Sequence, residues 1–354
     1  MSIIVTGGAG FIGSNFVLDW LAQSDEPVIT LDKLTYAGNL DNLAPLAHDL
    51  RHRFVHGDIA DQATVTALLR EHRPRALINF AAETHVDRSI ADPGAFIRAN
   101  VLGTYHLLEA TRSYWAQLDA RQQADFRFLH VSTDEVYGTL DEGGSPFTEQ
   151  TPYAPNSPYS ASKAASDHFV RAYHQTYGLP VLTSNCSNNY GPRQFPEKLI
   201  PLVIHHAFAG KPLPLYGDGL QRRDWLYVSD HCDAIRRMLE AGVPGATYNV
   251  GGWNEMSNLE LVRGLCHLLD GLRPRADGKS YTDQIVHVPD RAGHDRRYAV
   301  DASRLQRELG WMPAETFESG ILKTIQWYLH ETQWVANVAS GAYRANQEAP
   351  PESE

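Results

Sequence analysis

Short apolar runs and amphipathic segments alternate along the first half of the chain. Runs rich in β-branched residues predict strands at SIIVTG, PVITLD, HRFVHGD, RALINFAA and FRFLHVST, and patterns such as SNFVLDWLAQ and DQATVTALLREH predict helices between them. A sixth strand, PVLTSNCSNNY, follows a long helix that is predicted to begin near Ser157. Nearly continuous apolar strands that alternate with helices are typical of an α/β fold with a doubly wound parallel sheet.

The pattern changes after Tyr190, where Pro, Gly and charged residues become frequent. We therefore expect a sheet domain over 1–190, to which segments at about 228–256 and 311–338 return. A smaller, loop-rich α/β lobe is expected over 191–227 and 257–310. The polar, acidic end of the chain, 340–354, is predicted to be a disordered tail.

Composition and charge narrow the class of protein. A formal net charge of −11 argues against a general nucleic-acid-binding protein. No apolar run approaches the roughly 18–20 residues of a membrane-spanning helix, and MSIIVTGGAG leads directly into a strand rather than a basic leader. Cys186, Cys232 and Cys266 are odd in number and widely spaced, which suits the reducing cytoplasm. The 16 histidines form no spaced set, so we expect no metal site.

A glycine-rich turn joins the first strand to the first helix. VTGGAGFIGSNF places Gly7, Gly10 and Gly13 where a tight turn, close backbone approach to a pyrophosphate and close helix–strand packing each require a small residue. The helix N-terminus then directs free N–H groups at the phosphates. The context predicts a Rossmann-type dinucleotide site, although a tight turn without ligand would share the pattern.

Acidic residues at the ends of the second and third strands refine this prediction. Asp32 is positioned to accept hydrogen bonds from the adenosine ribose and to repel a 2′-phosphate, which favours NAD over NADP. Lys33 weakens that preference without reversing it. Asp58 and Ile59 end the third strand, where an adenine edge would rest.

The helix that begins near Ser157 carries a second candidate site. In SPYSASKAASDHF, Tyr159 and Lys163 are four residues apart, so both project from one side of the helix. A tyrosine with its ordinary pKa of about 10 is a weak base at neutral pH, but a neighbouring ammonium and an oxidised nicotinamide ring both favour the phenolate. The pair alone can occur by chance. Ser132 and Thr133 at a neighbouring strand end strengthen the interpretation.

Two carboxylates, Asp134 and Glu135, follow directly in HVSTDEVYG. Because successive side chains of a strand point to opposite faces, both can reach one substrate only if the backbone leaves the sheet there. Close acid pairs can divide the labour of general acid and general base. An ordinary loop with solvated acids is the alternative.

These motifs together resemble the extended short-chain dehydrogenase/reductase superfamily and, within it, the dTDP-glucose 4,6-dehydratase family. The similar segments span residues 6 to 301 and are TGGAGFIGSNF, LDKLTYAGN, AAETHVDRSI, STDEVYG, YSASKAASDH, SNNYGPRQFPEKLIPL, RRDWLYVSDH and VPDRAGHDRRYAVD. The resemblance implies oxidation of a nucleotide-linked glucose at carbon 4, elimination of water across carbons 5 and 6, and return of hydride to carbon 6. The product would enter deoxysugar synthesis, for which rhamnose is the usual destination.

The resemblance also implies a role for each site residue. Tyr159, with Lys163, would take the proton of the carbon-4 hydroxyl, and Thr133 would hydrogen-bond the carbon-4 oxygen. Glu135 would be the carbon-5 base and Asp134 the acid. The cofactor NAD would contact Gly7, Gly10, Phe11, Ile12, Gly13, Asp32, Lys33, Leu34, Thr35, Asp58, Ile59, Ala81, Ala82, Tyr159, Lys163 and Asn189.

The nucleotide sugar is expected to lie against the lobe. Arg223 and Arg291 can each form forked hydrogen bonds to phosphate oxygens. The substrate positions implied by the resemblance are Thr84, Thr133, Asn188, Lys198, Leu199, Pro214, Tyr216, Arg223, Asn258, Arg291 and His294. The family further implies a homodimer, paired through helices near 101–114 and 161–177, which could otherwise only cover the sheet.

Three other functions remain open from the sequence. A nucleotide-sugar 4-epimerase needs the tyrosine and the cofactor but not the acid pair. A UDP-glucuronate decarboxylase or GDP-mannose dehydratase commonly keeps the glutamate without the preceding aspartate. A non-catalytic NAD-sensing regulator tends to lose the Tyr–Lys pair, which is intact in this chain as Tyr159 and Lys163.

Overall fold

The large sheet of the protein has seven parallel strands and helices on both faces. A computed structural model describes residues 1–344. The twelve strands are β1 (Ile3–Thr6), β2 (Val28–Asp32), β3 (His52–His56), β4 (Ala76–Asn79), β5 (Arg127–Thr133), β6 (Val181–Cys186), β7 (Asn188–Tyr190), β8 (Leu213–Tyr216), β9 (Arg222–Tyr227), β10 (Thr247–Val250), β11 (Glu255–Ser257) and β12 (Ile285–Val288). The predicted doubly wound parallel fold class is confirmed.

Thirteen α-helices lie between these strands in the described part of the chain. They are α1 (Phe11–Gln23), α2 (Gln62–His72), α3 (Val86–Ala91), α4 (Pro93–Phe96), α5 (Gly103–Trp115), α6 (Ala120–Asp125), α7 (Pro158–Tyr177), α8 (Leu199–Phe208), α9 (Val228–Ala241), α10 (Asn258–Leu272), α11 (Ser303–Leu309), α12 (Phe317–His330) and α13 (Thr332–Ser340). A π-helical turn spans Ile97–Leu102, and short 3₁₀ turns span Leu40–Leu46, Asp134–Tyr137, Tyr281–Gln284 and Ala342–Arg344.

The strand order of the large sheet determines where a ligand can bind. The order is β10-β6-β5-β4-β1-β2-β3, and every neighbouring pair is parallel. The chain therefore changes winding direction between β1 and β4. In open α/β sheets a crevice forms at that switch point, outside the carboxyl ends of the strands.

Alternate residues of β1 pack into the two different cores of the sheet. Ile3 and Val5 belong to a cluster with residues of α1 and α9, whereas Ile4 belongs to a cluster with residues of α2 and α5. This is the two-sided burial expected of a parallel strand, whose side chains alternate between the faces. The loops at the carboxyl ends of these strands therefore begin from positions that are packed on both faces.

The smaller lobe is built on two short sheets and its own apolar core. One sheet has the order β11-β9-β7 and the other pairs β12 with β8. In the segment predicted to return to the large sheet at 311–338, Trp311 packs into the core of that sheet. Phe317, Tyr328 and Trp334 instead pack into the lobe core with α8 and α10. Conversely, Leu305 of α11 packs into the core of the large sheet. The sequence pattern of α11, α12 and α13 does not specify which of the two apolar cores each helix covers.

Part of the segment predicted as a tail is packed in the structure. Tyr343 is buried, and its hydroxyl donates to the Tyr36 carbonyl oxygen at 2.6 Å. The remainder of the predicted tail, 345–354, lies outside the described residues. Over residues 1–344, the structure contains no helix that is both long and apolar enough to cross a membrane.

Candidate active site

A cavity of about 290 Å³ opens at the carboxyl edge of the large sheet. Its wall is formed by the ends of strands β1 to β7 and the segments that follow them, together with the start of α7. The sequence-predicted residues that line it are Gly7, Gly10, Phe11, Ile12, Gly13, Asp32, Lys33, Thr35, Asp58, Ile59, Ala81, Ala82, Thr84, Thr133, Glu135, Tyr159, Lys163, Asn188, Asn189 and Lys198.

The glycine turn forms one end of this cavity. Gly7 has φ +69°, and a Cβ there would lie 2.6 Å from the backbone nitrogen of Ala81. A Cβ on Gly13 would lie 2.3 Å from the Gly7 carbonyl oxygen. Larger residues would therefore separate α1 from the strands. No side chain caps the N-terminus of α1 at Gly10, so its first N–H groups remain available to an anion in the cavity.

Asp32 fixes the loop beside the glycine turn. Its Oδ2 accepts from the Ala9 N–H at 2.9 Å, and its Oδ1 accepts from the Leu34 N–H at 2.8 Å. Burial raises the pKa of this carboxyl, and the two backbone donors oppose the shift. Lys33 pairs with Asp58 at 2.9 Å, so its charge is already balanced. The arrangement suits a ribose hydroxyl better than a 2′-phosphate.

The two adjacent carboxylates lie in a turn rather than on the strand. β5 ends at Thr133, and a 3₁₀ turn begins at Asp134. The Thr133 hydroxyl oxygen accepts from the Glu135 N–H at 3.3 Å, and the hydroxyl donates to Asp134 Oδ1 at 3.3 Å. Because Glu135 is in this turn and not on the strand, its side chain can line the cavity on the same side as Thr133. Asp134 lies behind this wall and is 1% exposed.

The environments of the two carboxyls differ in their charges. Burial, followed by the Glu135 charge, raises the pKa of Asp134 well above its usual range, which favours its protonated form. Burial also raises the pKa of Glu135, but Arg291, Arg223 and Lys198 oppose that shift. The three cations therefore stabilise the ionised form of Glu135. The pair has one member suited to donate a proton and one suited to accept it.

Tyr159 and Lys163 lie in the first two turns of α7. Ser157 and Ser160 form a capping box, and Pro158 occupies the first helical position. Tyr159 is hydrogen-bonded to Thr133, but burial and the Glu135 charge raise its pKa. The Lys163 ammonium donates to the Val131 carbonyl oxygen at 2.8 Å rather than contacting the phenol. The sequence expectation of a lowered tyrosine pKa thus differs from the balance in this structure, where burial dominates.

Lys198 connects the cavity to the lobe, and its ammonium donates to the Thr84 carbonyl oxygen at 3.1 Å. Two arginines face the same region, since both influence the Glu135 carboxyl. Arg223 donates to the Asp295 carbonyl oxygen at 2.9 Å, and Arg291 lies 3.9 Å from Asp87. Predicted residues that the structure leaves outside the cavity wall are Leu34, Asp134, Leu199, Pro214, Tyr216, Arg223, Asn258, Arg291 and His294.

Some residues of the cavity were not predicted. Glu197 and Phe195 line it, and the Tyr36 hydroxyl donates to Glu197 Oε1 at 2.9 Å. Arg88 lies over the Tyr36 ring, with its Cζ 3.6 Å from the centroid. The hydrogen bond between Tyr36 and Glu197 joins the loop after β2 to the loop before α8. The only sequence signal for it is that Tyr36 and Glu197 each fall inside a segment that resembles the family.

Comparison with known proteins decides the family. The family model described as GDP-mannose 4,6 dehydratase matches residues 4–324. A dTDP-glucose 4,6-dehydratase of Xanthomonas campestris pv. campestris (strain B100) is 65% identical over 341 residues, which cover 96% of this chain and 97% of that protein. The chain belongs to the dTDP-glucose 4,6-dehydratase family.

Two solved structures of dTDP-glucose 4,6-dehydratases share the fold of this chain. DesIV from Streptomyces venezuelae, described with NAD bound, has a TM-score of 0.85 and 46% identity, over 94% of this chain and 98% of that chain. The enzyme of Bacillus anthracis str. Ames, described in complex with NAD, has a TM-score of 0.84 and 44% identity, over 96% of this chain and 99% of that chain. The resemblance inferred from the sequence is therefore confirmed.

The residues at this end of the cavity fit a bound dinucleotide. Gly7 and Gly13 leave a cradle that a Cβ would fill, and Asp32 is fixed at the neighbouring strand end. On the cavity wall, Asn188 Oδ1 is buried without a hydrogen-bond partner among the described residues. Buried polar atoms of this kind are expected where a ligand completes the hydrogen bonding.

Proposed function

We propose that this chain is an NAD-dependent dTDP-glucose 4,6-dehydratase, a hydro-lyase that produces dTDP-4-keto-6-deoxyglucose. The observation that carries the proposal is that one cavity contains the glycine turn, the Tyr159–Lys163 pair and Glu135. A dinucleotide-binding protein needs only the first of these, and a 4-epimerase needs the first two. Dehydration also needs a base at carbon 5, and Glu135 supplies it.

The proposed oxidation step uses the residues at the start of α7. Tyr159 removes the proton from the carbon-4 hydroxyl, and the Thr133 hydroxyl hydrogen-bonds the carbon-4 oxygen. Gly7, Gly13 and Asp32 would hold NAD, which would supply a hydride acceptor for carbon 4 and a hydride donor for carbon 6. Lys163 is buried four residues further along the same side of the helix, and its ammonium, when charged, favours the phenolate.

The proposed elimination step uses the acid pair. The carbon-4 ketone makes the carbon-5 hydrogen acidic, and the Glu135 carboxylate removes it. Hydroxide is a poor leaving group, so the carbon-6 hydroxyl needs a proton as it departs. Asp134, whose pKa is raised well above its usual range by burial, is the proposed acid of the pair.

The lobe is proposed to hold the nucleotide. Arg223 and Arg291 supply positive charge beside the cavity in a chain whose formal net charge is −11. Arg291 Nε is buried without a hydrogen-bond partner in the described part of the chain, so the guanidinium retains a free donor for a phosphate oxygen. The proposed boundary at Tyr190 separates cofactor recognition from nucleotide-sugar recognition.

The product identifies the activity directly. Purified protein incubated with dTDP-glucose is expected to form the 4-keto-6-deoxy sugar, with the loss of one water detected by mass spectrometry and no consumption of added NAD. Parallel incubations with UDP-glucose and GDP-mannose test the nucleotide. Formation of only a 4-epimer, or a strict preference for a UDP or GDP sugar, would contradict the proposal.

Asp32→Asn is expected to weaken NAD binding roughly 10- to 100-fold, because a hydrogen bond to a charged group contributes about 1.5–3 kcal/mol. Discrimination against NADP should also decrease, since the amide does not repel a 2′-phosphate. Titration calorimetry with both dinucleotides measures the two effects. Asp61→Asn is the control, because Asp61 is an exposed helix cap of α2. Equal effects of the two substitutions would contradict this role of Asp32.

The proposed homodimer pairs the helices α5 and α7 of two copies. Large apolar side chains between 38% and 52% exposed gather on these helices and on the π-helical turn before α5. They are Ile97, Leu102, Tyr105, Phe169 and Tyr177. Light scattering should give twice the chain mass for the native protein and a single chain mass for Phe169→Glu. Val243→Glu, at an exposed apolar residue outside these helices, should remain dimeric.

The proposed compartment is the cytoplasm, and the proposed pathway is deoxysugar synthesis. All three cysteines are free and buried, an arrangement that is typical of proteins in a reducing compartment. The 4-keto-6-deoxy product is a common starting point for deoxysugars, and rhamnose is its proposed destination.

A further inference from the structure

The side of α7 that carries Tyr159 and Lys163 carries a third ionisable residue, Asp167. The three residues are four positions apart, so they follow one another along the same side of the helix. Lys163 is 3% exposed and Asp167 is 5% exposed. A buried ammonium is unfavourable unless an anion or hydrogen-bond acceptors accompany it.

The Lys163 ammonium is held against β5. Besides donating to Val131, Nζ lies 3.3 Å from His130 Nε2. The same His130 nitrogen lies 3.4 Å from Asp167 Oδ1. Because Nδ1 faces the Asn79 amide, the neutral ring carries its proton on Nε2 and directs it at the Asp167 carboxylate, while the ammonium is held by the Val131 carbonyl oxygen.

His130 is fixed from the opposite side by β4. Its Nδ1 lies 3.1 Å from Asn79 Nδ2, and Asn79 Oδ1 accepts from the Thr6 hydroxyl at 2.6 Å. Burial and the neighbouring Lys163 lower the pKa of His130 to about 4, so the ring is neutral at pH 7. His130 consequently orients its neighbours without adding a second positive charge.

Asp167 is the anion of this buried cluster. Its Oδ2 accepts from the Ser132 hydroxyl at 2.8 Å, and the Tyr153 hydroxyl also hydrogen-bonds to the carboxylate. The Cys186 thiol faces Lys163 from β6, and burial raises its pKa to about 12, so it remains uncharged. Tyr137, from the turn after β5, also faces Asp167, and burial raises the pKa of its phenol, which therefore remains uncharged.

We propose that Asp167 is a positioning residue of the active site. Its carboxylate, which His130 orients, balances the charge of the Lys163 ammonium that donates to β5, so that a charged Lys163 remains available to Tyr159. Asp167 does not line the cavity, so it acts through Lys163 rather than on the substrate. The inference rests on the proposed function, because it takes Tyr159 and Lys163 to act as a pair.

The sign of the expected pH effect distinguishes this role from a purely structural one. Burial lowers the pKa of Lys163, and the Asp167 charge raises it. Without the carboxylate the ammonium loses its proton more readily, and a neutral Lys163 no longer favours the Tyr159 phenolate. The acidic limb of the kcat profile, which follows the phenolate, then moves to higher pH. If Asp167 acted on Tyr159 only as a nearby negative charge, its removal would lower the pKa of the phenol. The acidic limb would then move to lower pH.

Asp167→Asn tests the proposal, since it removes the charge and keeps the side-chain volume. We expect the acidic limb to move up by about one pH unit, which corresponds to about tenfold lower kcat on that limb. The KM for dTDP-glucose should change little, and Asp167→Glu should restore most of the wild-type profile. Asp230→Asn is the matched control, because Asp230 is a buried helical aspartate whose partners are the backbone N–H groups of Ala314 and Glu315. It should lower Tm without moving the limb.

An acidic limb that stays in place or moves to lower pH in folded Asp167→Asn would overturn the proposal. A second measurement does not depend on that variant or on turnover. In ¹⁵N-lysine-labelled wild-type protein, with the Lys163 signal identified by its loss in Lys163→Arg, the side chain should remain an ammonium at pH 8. A neutral amine at that pH would also overturn the proposal. If wild-type protein does not dehydrate dTDP-glucose, the proposed function fails separately from this measurement.

Discussion

Glu135→Gln is expected to oxidise carbon 4 of dTDP-glucose and then to stall, with turnover lowered roughly 10²–10⁴-fold, the usual contribution of a general base. The amide has nearly the volume of the carboxylate, so the cavity keeps its shape. It cannot accept the carbon-5 proton. The variant should therefore accumulate reduced cofactor, which wild-type protein consumes as quickly as it forms.

The charges around Glu135 explain why a neutral substitute fails at this position. Arg291, Arg223 and Lys198 all favour its ionised form against the effect of burial. Burial nevertheless raises the pKa of this carboxyl, so its use as a base depends on the three cations that oppose the shift. In the same turn, burial and the Glu135 charge raise the pKa of Asp134 well above its usual range, and among the described residues only Arg223 and the Thr133 hydrogen bond oppose that shift. The two carboxyls are therefore not interchangeable, although they are adjacent in the sequence.

Single-turnover absorbance of the reduced nicotinamide, together with mass spectrometry of the sugar, measures the two steps of Glu135→Gln separately. The control is Glu149→Gln. Glu149 is a half-buried glutamate outside the cavity, and its carboxylate accepts from the Asn249 N–H at 2.9 Å. The control should dehydrate the sugar without accumulating reduced cofactor. Elimination at the wild-type rate in Glu135→Gln would show that another group is the carbon-5 base.

Local pattern was sufficient to predict much of the site, because its main parts are short segments at strand ends. The glycine turn, Asp32 and the Tyr159–Lys163 spacing each follow from one strand–turn–helix unit. The requirement that the backbone leave the sheet at Asp134 also followed from strand alternation, and the structure has a 3₁₀ turn there. Parallel strands then bring these segments to one edge, whatever the details of the loops.

Long-range pairing could not be predicted in the same way. PVLTSNCSNNY was expected to form one strand, but it divides at Ser187, and Asn188 then pairs with Trp225 in a different sheet. The partner strand lies far along the chain, and no local pattern identifies it. Asp167 is a different case, since it is four residues after Lys163 and a search for a third polar residue at helical spacing finds it.

Tyr159→Phe is expected to abolish reduction of the cofactor, with turnover lowered roughly 10²–10⁴-fold through loss of the proton acceptor at carbon 4. Burial raises the pKa of this phenol, and the hydrogen bond with Thr133 opposes that shift. Proton removal from the substrate therefore depends on a group that the fold holds in place and that positive charge must activate. Phenylalanine keeps the ring packed against Phe96, at a centroid distance of 6.2 Å, and removes only the hydroxyl.

Rapid mixing with dTDP-glucose should show no rise of reduced nicotinamide in Tyr159→Phe, in contrast to Glu135→Gln. Tyr173→Phe is the control on the same helix, because that hydroxyl donates to Glu109 outside the cavity. Since oxidation precedes elimination, the double variant Tyr159→Phe/Glu135→Gln should behave as Tyr159→Phe alone, without reduced cofactor. Accumulation of reduced cofactor in the double variant would show that another base begins the reaction, because Glu135 can act only after carbon 4 has been oxidised.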